Sequence, residues 1–212
     1  MAHHTQSAPH IATTGSPIVT TSDFEASTTA TQDLTGDYQL DPAHTRIGFV
    51  ARHAMVTKVR GTFKQFEAKV HLDAANPAQS SAELTVQVNS VDTGQEQRDA
   101  HLRTNDFFDA PNYPVMTFTS TGVERVDDTT FRLAGDLTIK DVTKAVTVEF
   151  EYIGSAKDPF GNSRAGFEGK ATVNRKDWGL NWNSVLETGG FLVSDKIVLE
   201  LDVSAVKLTA TP

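Results

Sequence analysis

From Gly36 onward the chain repeats one pattern, an alternation of apolar and polar residues with a period of two, in segment after segment. A period of two is the repeat of a strand with one buried face. Ile47, Phe49 and Ala51 share a face, as do Phe66, Ala68, Val70 and Leu72. Leu84, Val86 and Val88 follow, then Met116 and Phe118, then Phe131, Leu133, Leu137 and Ile139. Val146, Val148, Phe150 and Tyr152 form the next series, and Ala165, Phe167, Ala171 and Val173 another. Ile197, Leu199, Leu201 and Val203 close it. Turn residues separate the segments at Asn76-Pro77, Asp127-Asp128 and Asp158-Pro159-Phe160-Gly161-Asn162. The outward faces are polar, which suits an antiparallel sheet wet on one side. About eight such strands form a sandwich or close into a barrel, and closure removes exposed edges while leaving room for one small ligand. The expected fold is all-β, an extended eight-stranded antiparallel barrel.

Two short helices are expected to interrupt the strands and cap or flank the barrel, one near His53 to Val59 and one near Glu96 to Thr104. The second runs straight into Phe107-Phe108 and a Pro-Asn-Tyr-Pro corner. A surface helix has no need of two adjacent phenylalanines at its end, so this segment is expected to close over something apolar. The stretch Trp178 to Phe191 holds both tryptophans, Trp178 and Trp182, alternates poorly and ends in Gly189-Gly190. It either gates a pocket at the barrel mouth or plugs one end of the barrel with its indoles. Residues 1–35 are rich in Thr, Ser and Ala and are expected to form a disordered tail, leaving 36–212 as one barrel domain. His3, His4 and His10 fall in that tail and are set aside as site candidates.

Composition narrows the function. With 19 Lys plus Arg against 27 Asp plus Glu, and the basic residues scattered, there is no footprint for nucleic acid. The net charge also disfavours an anionic membrane surface. The absence of cysteine excludes disulfides, thiolate metal sites and cysteine nucleophiles. No segment has the apolar length of a membrane helix. The longest apolar run of the N-terminal stretch is Ile18-Val19, so no signal-peptide core is read and cytoplasmic residence is expected.

Chemistry-bearing residues form no catalytic signature. His44, His53, His71 and His101 lie on separate elements without metal-ligand spacing, so no metal is expected. Arg98, Asp99, His101 and Arg103 share the short helix; Asp99 and Arg103 stand at i, i+4, where a local ion pair competes with a role in a polar rim. There is no GxSxG elbow and no phosphate-binding glycine loop.

Several stretches, taken together and in order, resemble the YceI-like family. LDPAHTRIGFVARHAMVTKVRGTF is similar to its opening, with an Asp-Pro-x-His turn leading into a strand. TGQEQRDAHLRTNDFFDAPNYPVMTFTST is similar to its most distinctive stretch. LAGDLTIKDVTKAVTVEFEY resembles its Gly-x-Leu-Thr hairpin and ATVNRKDWGLNW its Arg-x-Asp-aromatic-Gly-Leu element. The match runs from about Gly36 to Lys207.

The resemblance implies a lipocalin-like barrel with an apolar tunnel for a long-chain amphiphile, a polyisoprenoid or isoprenoid-quinone type of lipid, bound without turnover and without a cofactor. A homodimer is compatible with it. By alternation, the tunnel is expected to draw on Phe49, Met55, Phe63, Phe66, Val86, Val88, Leu102, Phe107, Phe108, Met116, Phe118, Phe150, Phe167, Leu180, Trp182 and Leu199. A polar rim or a structural role falls to His44, His53, Arg98, Asp99, His101, Arg175 and Asp177. Two alternatives stand beside binding: a lipid-modifying enzyme with His44, His53 or His101 as acid–base groups, and a filled barrel that serves as a stress-related interaction protein.

Overall fold

A computed structural model describes Met1, residues 34–187 and residues 189–209. Apart from Met1, Leu34 and Thr35, the expected N-terminal tail lies outside the described residues. The strands are β1 (Gly36–Leu40), β2 (Arg46–His53), β3 (Thr57–Phe63), β4 (Phe66–Leu72), β5 (Ser81–Gln87), β6 (Val91–Asp92), β7 (Val115–Arg125), β8 (Thr130–Ile139), β9 (Val142–Lys157), β10 (Ser163–Asn174) and β11 (Lys196–Lys207). One helix, α1 (Glu96–Leu102), stands between β6 and β7.

Every pairing is antiparallel, and β4, β5, β7, β8, β9, β10 and β11 follow one another around the sheet until β11 meets β1, which pairs back to β4. The short strands β2, β3 and β6 continue β1, β4 and β5 beyond local breaks. Thus β2 pairs with β11 where β1 leaves it, β3 pairs with β2, and β6 pairs with β3. The result is a closed, eight-stranded, up-and-down barrel of lipocalin type. Among the described residues closure leaves only the two-residue β6 as a free edge, which accounts for eight strands of ordinary alternating sequence standing without a covering layer.

The two ends differ. At the lower end each turn is built around an aspartate whose carboxylate accepts backbone N–H groups: Asp73 from Ala75 and Asn76, Asp127 from Thr129 and Thr130, Asp158 from Phe160 and Asn162. These are Asx turns, the reason Asp recurs at strand ends here. Just inside, Arg164 bridges Asp41 (Nη1–Oδ2 2.5 Å) and Asp158 (Nε–Oδ2 2.9 Å), tying the break after β1 to the β9–β10 turn.

Arg164 and His44 beside Asp41, and Asn162 with Arg164 beside Asp158, hold both carboxyls down from an ordinary 3.8 to about 2. A carboxyl depressed on folding adds stability above its unfolded value and loses it as pH falls through its folded value. The protein is therefore expected to lose stability between about pH 4 and pH 2. In an acid titration followed by circular dichroism, Asp41→Asn should flatten that limb; an unchanged limb would show that Asp41 does not set it.

The upper end carries the β2–β3 turn, the α1 segment and the 175–195 connection. At the β2–β3 turn the Val56 N–H donates to the His53 carbonyl at 3.0 Å, with φ of 49° at Ala54 and 60° at Met55. Two successive positive-φ residues make a type I′ hairpin turn, so the helix expected near His53 to Val59 does not form. Thr57 to Phe63 instead continues as a strand against β2. The physical reason is that the alternation of Val59, Gly61 and Phe63 pairs with β2, whose partner strand is otherwise missing.

The other expected helix, α1, forms, but it is too short to hold itself. Asp99 accepts from the Thr93 N–H (2.9 Å) and hydroxyl (2.6 Å), and Arg98 donates to the Thr93 hydroxyl and carbonyl. The anticipated Asp99–Arg103 ion pair is absent because Arg103 turns to the carbonyls of Asn89 and Val91. Those contacts pin the segment to the barrel rim.

Candidate functional site

The barrel encloses a cavity of about 430 Å³ that runs its length, within the size range of small-molecule sites. Its wall is made by the inward faces of the strands: Ile47, Phe49 and Ala51 from β2, Ala68, Val70 and Leu72 from β4, Leu84 and Val86 from β5, Met116 and Phe118 from β7. Phe131, Leu133, Leu137 and Ile139 come from β8, and Val146, Val148, Phe150 and Tyr152 from β9. Phe167 and Val173 from β10, with Ile197, Leu199, Leu201 and Val203 from β11, complete it. Among the described residues no histidine lines it.

Three of the wall phenylalanines lie over glycines of neighbouring strands. A Cβ at Gly61 would strike the ring of Phe49, one at Gly135 the ring of Phe118, and one at Gly169 the ring of Phe150. The missing side chains let these rings lie back against the sheet, and that sets the width of the bore.

At the upper end the cavity meets buried groups. Phe108 packs against both core clusters of the upper barrel, so it spans the bore, and it stands edge-on to Phe63 at 5.8 Å. Leu102, Phe107, Trp178 and Leu180 complete the closure, with the Trp178 indole N–H donating to the Leu137 carbonyl at 3.0 Å. Of the two roles open to the tryptophan segment, Trp178 takes the plug.

Arg175, only 5% exposed, is the charged group at this closed end. Its guanidinium donates to the carbonyls of Ser194 (3.0 Å), Leu180 and Trp182 (2.8 Å) and reaches Asp195 at 3.3 Å. Burial pushes its pKa down and Asp195 pulls it up. Its donors are spent on the protein's own backbone, so it staples the 178–195 loop.

At the lower end the lining reaches Asp73, Ala74, Ser80, Arg125 and Asp128, of which Ala74, Arg125 and Asp128 are exposed. Among the described residues the cavity opens here, through a polar collar built by the Asx turns. Among the described residues no buried side-chain polar atom lacks a partner, and no cluster of His, Asp and Glu has the makings of a metal site. The bore therefore offers shape and apolar surface to a ligand's tail, and polar contacts only at its mouth.

Of the residues expected in the tunnel, Phe49, Phe63, Val86, Leu102, Phe107, Phe108, Met116, Phe118, Phe150, Phe167, Leu180 and Leu199 stand in the wall. Met55, Phe66, Val88 and Trp182 do not. Met55 sits exposed on the hairpin tip, because the segment that holds it is a turn and not a helix. Phe66 and Val88 pack in the upper core cluster where β4 begins and β5 breaks into a 3-10 turn. Trp182 lies outside the plug, edge-on to His101 at 4.7 Å and tilted on Phe107 at 5.3 Å.

The expected polar rim is not one assembly. His44 bonds Asp41 at the lower end, whereas His53, Arg98, Asp99 and His101 belong to the upper end; His101 bonds Asp106. Asp177 is exposed on the turn after β10. Sequence reasoning missed the actual collar, Asp73, Ser80, Arg125 and Asp128, because turn residues carry no periodic signal. It also passed over Leu133, Leu137, Val148 and Tyr152 as wall residues, although the same alternation marks their face.

The model of the YceI-like domain matches residues 38–205 of this chain. A UPF0312 protein of Ectopseudomonas mendocina is 39% identical over 151 residues, covering 70% of this chain and 79% of its own. Protein YceI of Shigella flexneri is 39% identical over 149 residues, 69% of this chain and 78% of its own. The crystal structure of Burkholderia cenocepacia BcnA superposes with a TM-score of 0.69 at 27% identity, over 78% of this chain and 98% of that one. A polyisoprenoid binding domain from Saccharophagus degradans shares the fold at 16% identity, with a TM-score of 0.60 over 81% of this chain and 98% of its own.

Proposed function

We propose, from the premise that this chain belongs to the YceI-like family, that its barrel binds and carries a long-chain amphiphilic lipid of polyisoprenoid or isoprenoid-quinone type without chemical turnover. One observation carries this reading: a continuous apolar bore, plugged at one end and collared by polar side chains at the other. An amphiphile fits that polarity tail-first, with its head at Asp73, Ser80, Arg125 and Asp128. The description of the Saccharophagus degradans domain as polyisoprenoid-binding is in keeping with such a tail. Catalysis by His44, His53 or His101 draws no support from the geometry, since none of them is among the residues that line the bore. Cytoplasmic residence and a homodimeric state stay with this reading as proposals.

Burying each CH2 contributes about 0.8 kcal/mol before the costs of association. An isoprene unit has five carbons, about 4 kcal/mol of transfer free energy before ordering costs, so across a ladder of prenyl alcohols each added unit is expected to raise affinity by at least ten-fold until the bore is full, and then to add nothing. Displacement of a fluorescent lipid would follow it, with native mass spectrometry and organic extraction identifying any co-purifying species. A flat ladder would sink the proposal.

A further inference from the structure

The upper, plugged end has a surface that the cavity does not explain. Two loop tips meet there: the Ala54 N–H donates to the Leu192 carbonyl at 2.7 Å, and His53 bridges to Val193. Between them they expose Met55 (59%), Val56 (76%), Val185 (74%) and Phe191 (52%).

The turn itself is costly. Positions 54 and 55 both have positive φ, where Asn-Gly is favoured, yet they are Ala and Met. A strained position that displays a large apolar side chain to solvent points to a use for that side chain.

The charge of the β2–β3 hairpin runs against that of the chain as a whole. The chain is net -8, but residues 46–65 contain Arg46, Arg52, Lys58, Arg60 and Lys64 and no acidic residue. Arg46 and Arg60 lean towards Glu200, and Lys64 towards Asp92. Arg52 and Lys58, beside the tip, are exposed and paired with no carboxylate among the described residues. On the other tip Lys176 lies over the Phe191 ring at 5.9 Å and pairs with Asp195, which leaves Glu187 as the exposed acid of the 178–194 loop.

We propose that these paired tips dock the protein on an anionic lipid bilayer, with Met55, Val56, Val185 and Phe191 entering the headgroup boundary and Arg52 and Lys58 meeting the acidic lipids. Apolar side chains flanked by basic ones are what an interfacial anchor requires. The mouth then faces away from the membrane, open to a partner or a free lipid. The docking does not depend on what fills the bore.

The test is flotation of the full chain with vesicles of phosphatidylcholine alone and of phosphatidylcholine with phosphatidylglycerol. Binding is expected to the anionic vesicles and to weaken with salt. Removing Arg52 and Lys58 together as glutamines should lower partitioning about 25-fold, at roughly five-fold per basic residue. Met55→Gly suits the turn's backbone and so keeps the fold; combined with Phe191→Ser it should lower partitioning at least ten-fold, on the order of one buried side chain lost per tip. Thermal stability should not fall and the lipid content of the barrel should be unchanged in both variants, which separates failure of docking from failure of lipid binding. Absence of vesicle binding, or equal partitioning of parent and variants, overturns the proposal. So does light scattering that shows a dimer which the same substitutions disperse, since the tips would then be a contact between copies.

Discussion

Arg175→Met is expected to lower the unfolding free energy by about 3 kcal/mol. The guanidinium is buried and satisfies the carbonyls of Leu180, Trp182 and Ser194 from a single planar fork. Methionine fills much of the same volume but donates nothing, so those carbonyls lose their partner where water has little access. The 178–195 loop then loses the staple that sets its path, and with it the seating of Trp178 and Leu180 in the bore. Lysine should rescue less than half of the loss, because one ammonium cannot reproduce the fork. For a domain of this size the drop corresponds to a fall in Tm on the order of 10 °C, readable by calorimetry. A loss below about 1 kcal/mol would show that the loop is held by its apolar contacts alone. Asp195 is not the main cause of this effect, since Lys176 pairs with it at 2.9 Å and would keep it company.

The expected loss at Arg175 also marks where sequence reasoning stops. Strand faces were legible because a period-two pattern has one physical meaning: Ile47 to Ala51, Val146 to Tyr152 and Ile197 to Val203 all point into the bore as their alternation requires. Strand number left a sandwich and a barrel both open, and closure was the expectation because it removes exposed edges. The β2–β3 turn was not, because Ala54-Met55 lacks the Asn-Gly chemistry that announces a type I′ turn, and HAMVTKV reads as readily as a helix. The collar was hidden for a different reason. Asp73 and Asp128 look like turn formers, which they are, and only the three-dimensional closure of the barrel brings those turns around one opening. Asp99 and Arg103 carried the spacing of an ion pair, but tertiary carbonyls at Asn89 and Val91 outcompeted a bond worth a few tenths of a kcal/mol.

The bore itself is expected to narrow sharply when its glycines acquire side chains. The atoms nearest a Cβ on Gly169 all belong to the Phe150 ring, and those nearest one on Gly61 to the Phe49 ring and the methyl of Thr93. In both cases the nearest ring carbons belong to side chains that line the cavity, so the rings swing inward and the sheet stays in place. Gly135 differs, because a Cβ there also crowds the Thr119 carbonyl, and backbone cannot yield so cheaply. The double substitution Gly61→Ala with Gly169→Ala should therefore cost stability by only about 1–2 kcal/mol while lowering affinity for the longest prenyl chains by at least ten-fold, about 1.4 kcal/mol. The chain-length optimum should shift to shorter ligands, since the mouth and lower bore are untouched. Phe150→Ala makes the opposite change, enlarging the middle of the bore at a cost of about 3 kcal/mol, and should favour bulkier tails. If the glycine pair alters stability but leaves the affinity ladder unmoved, the ligand does not pass the Phe49 and Phe150 rings, and its tail is confined to the lower half of the barrel.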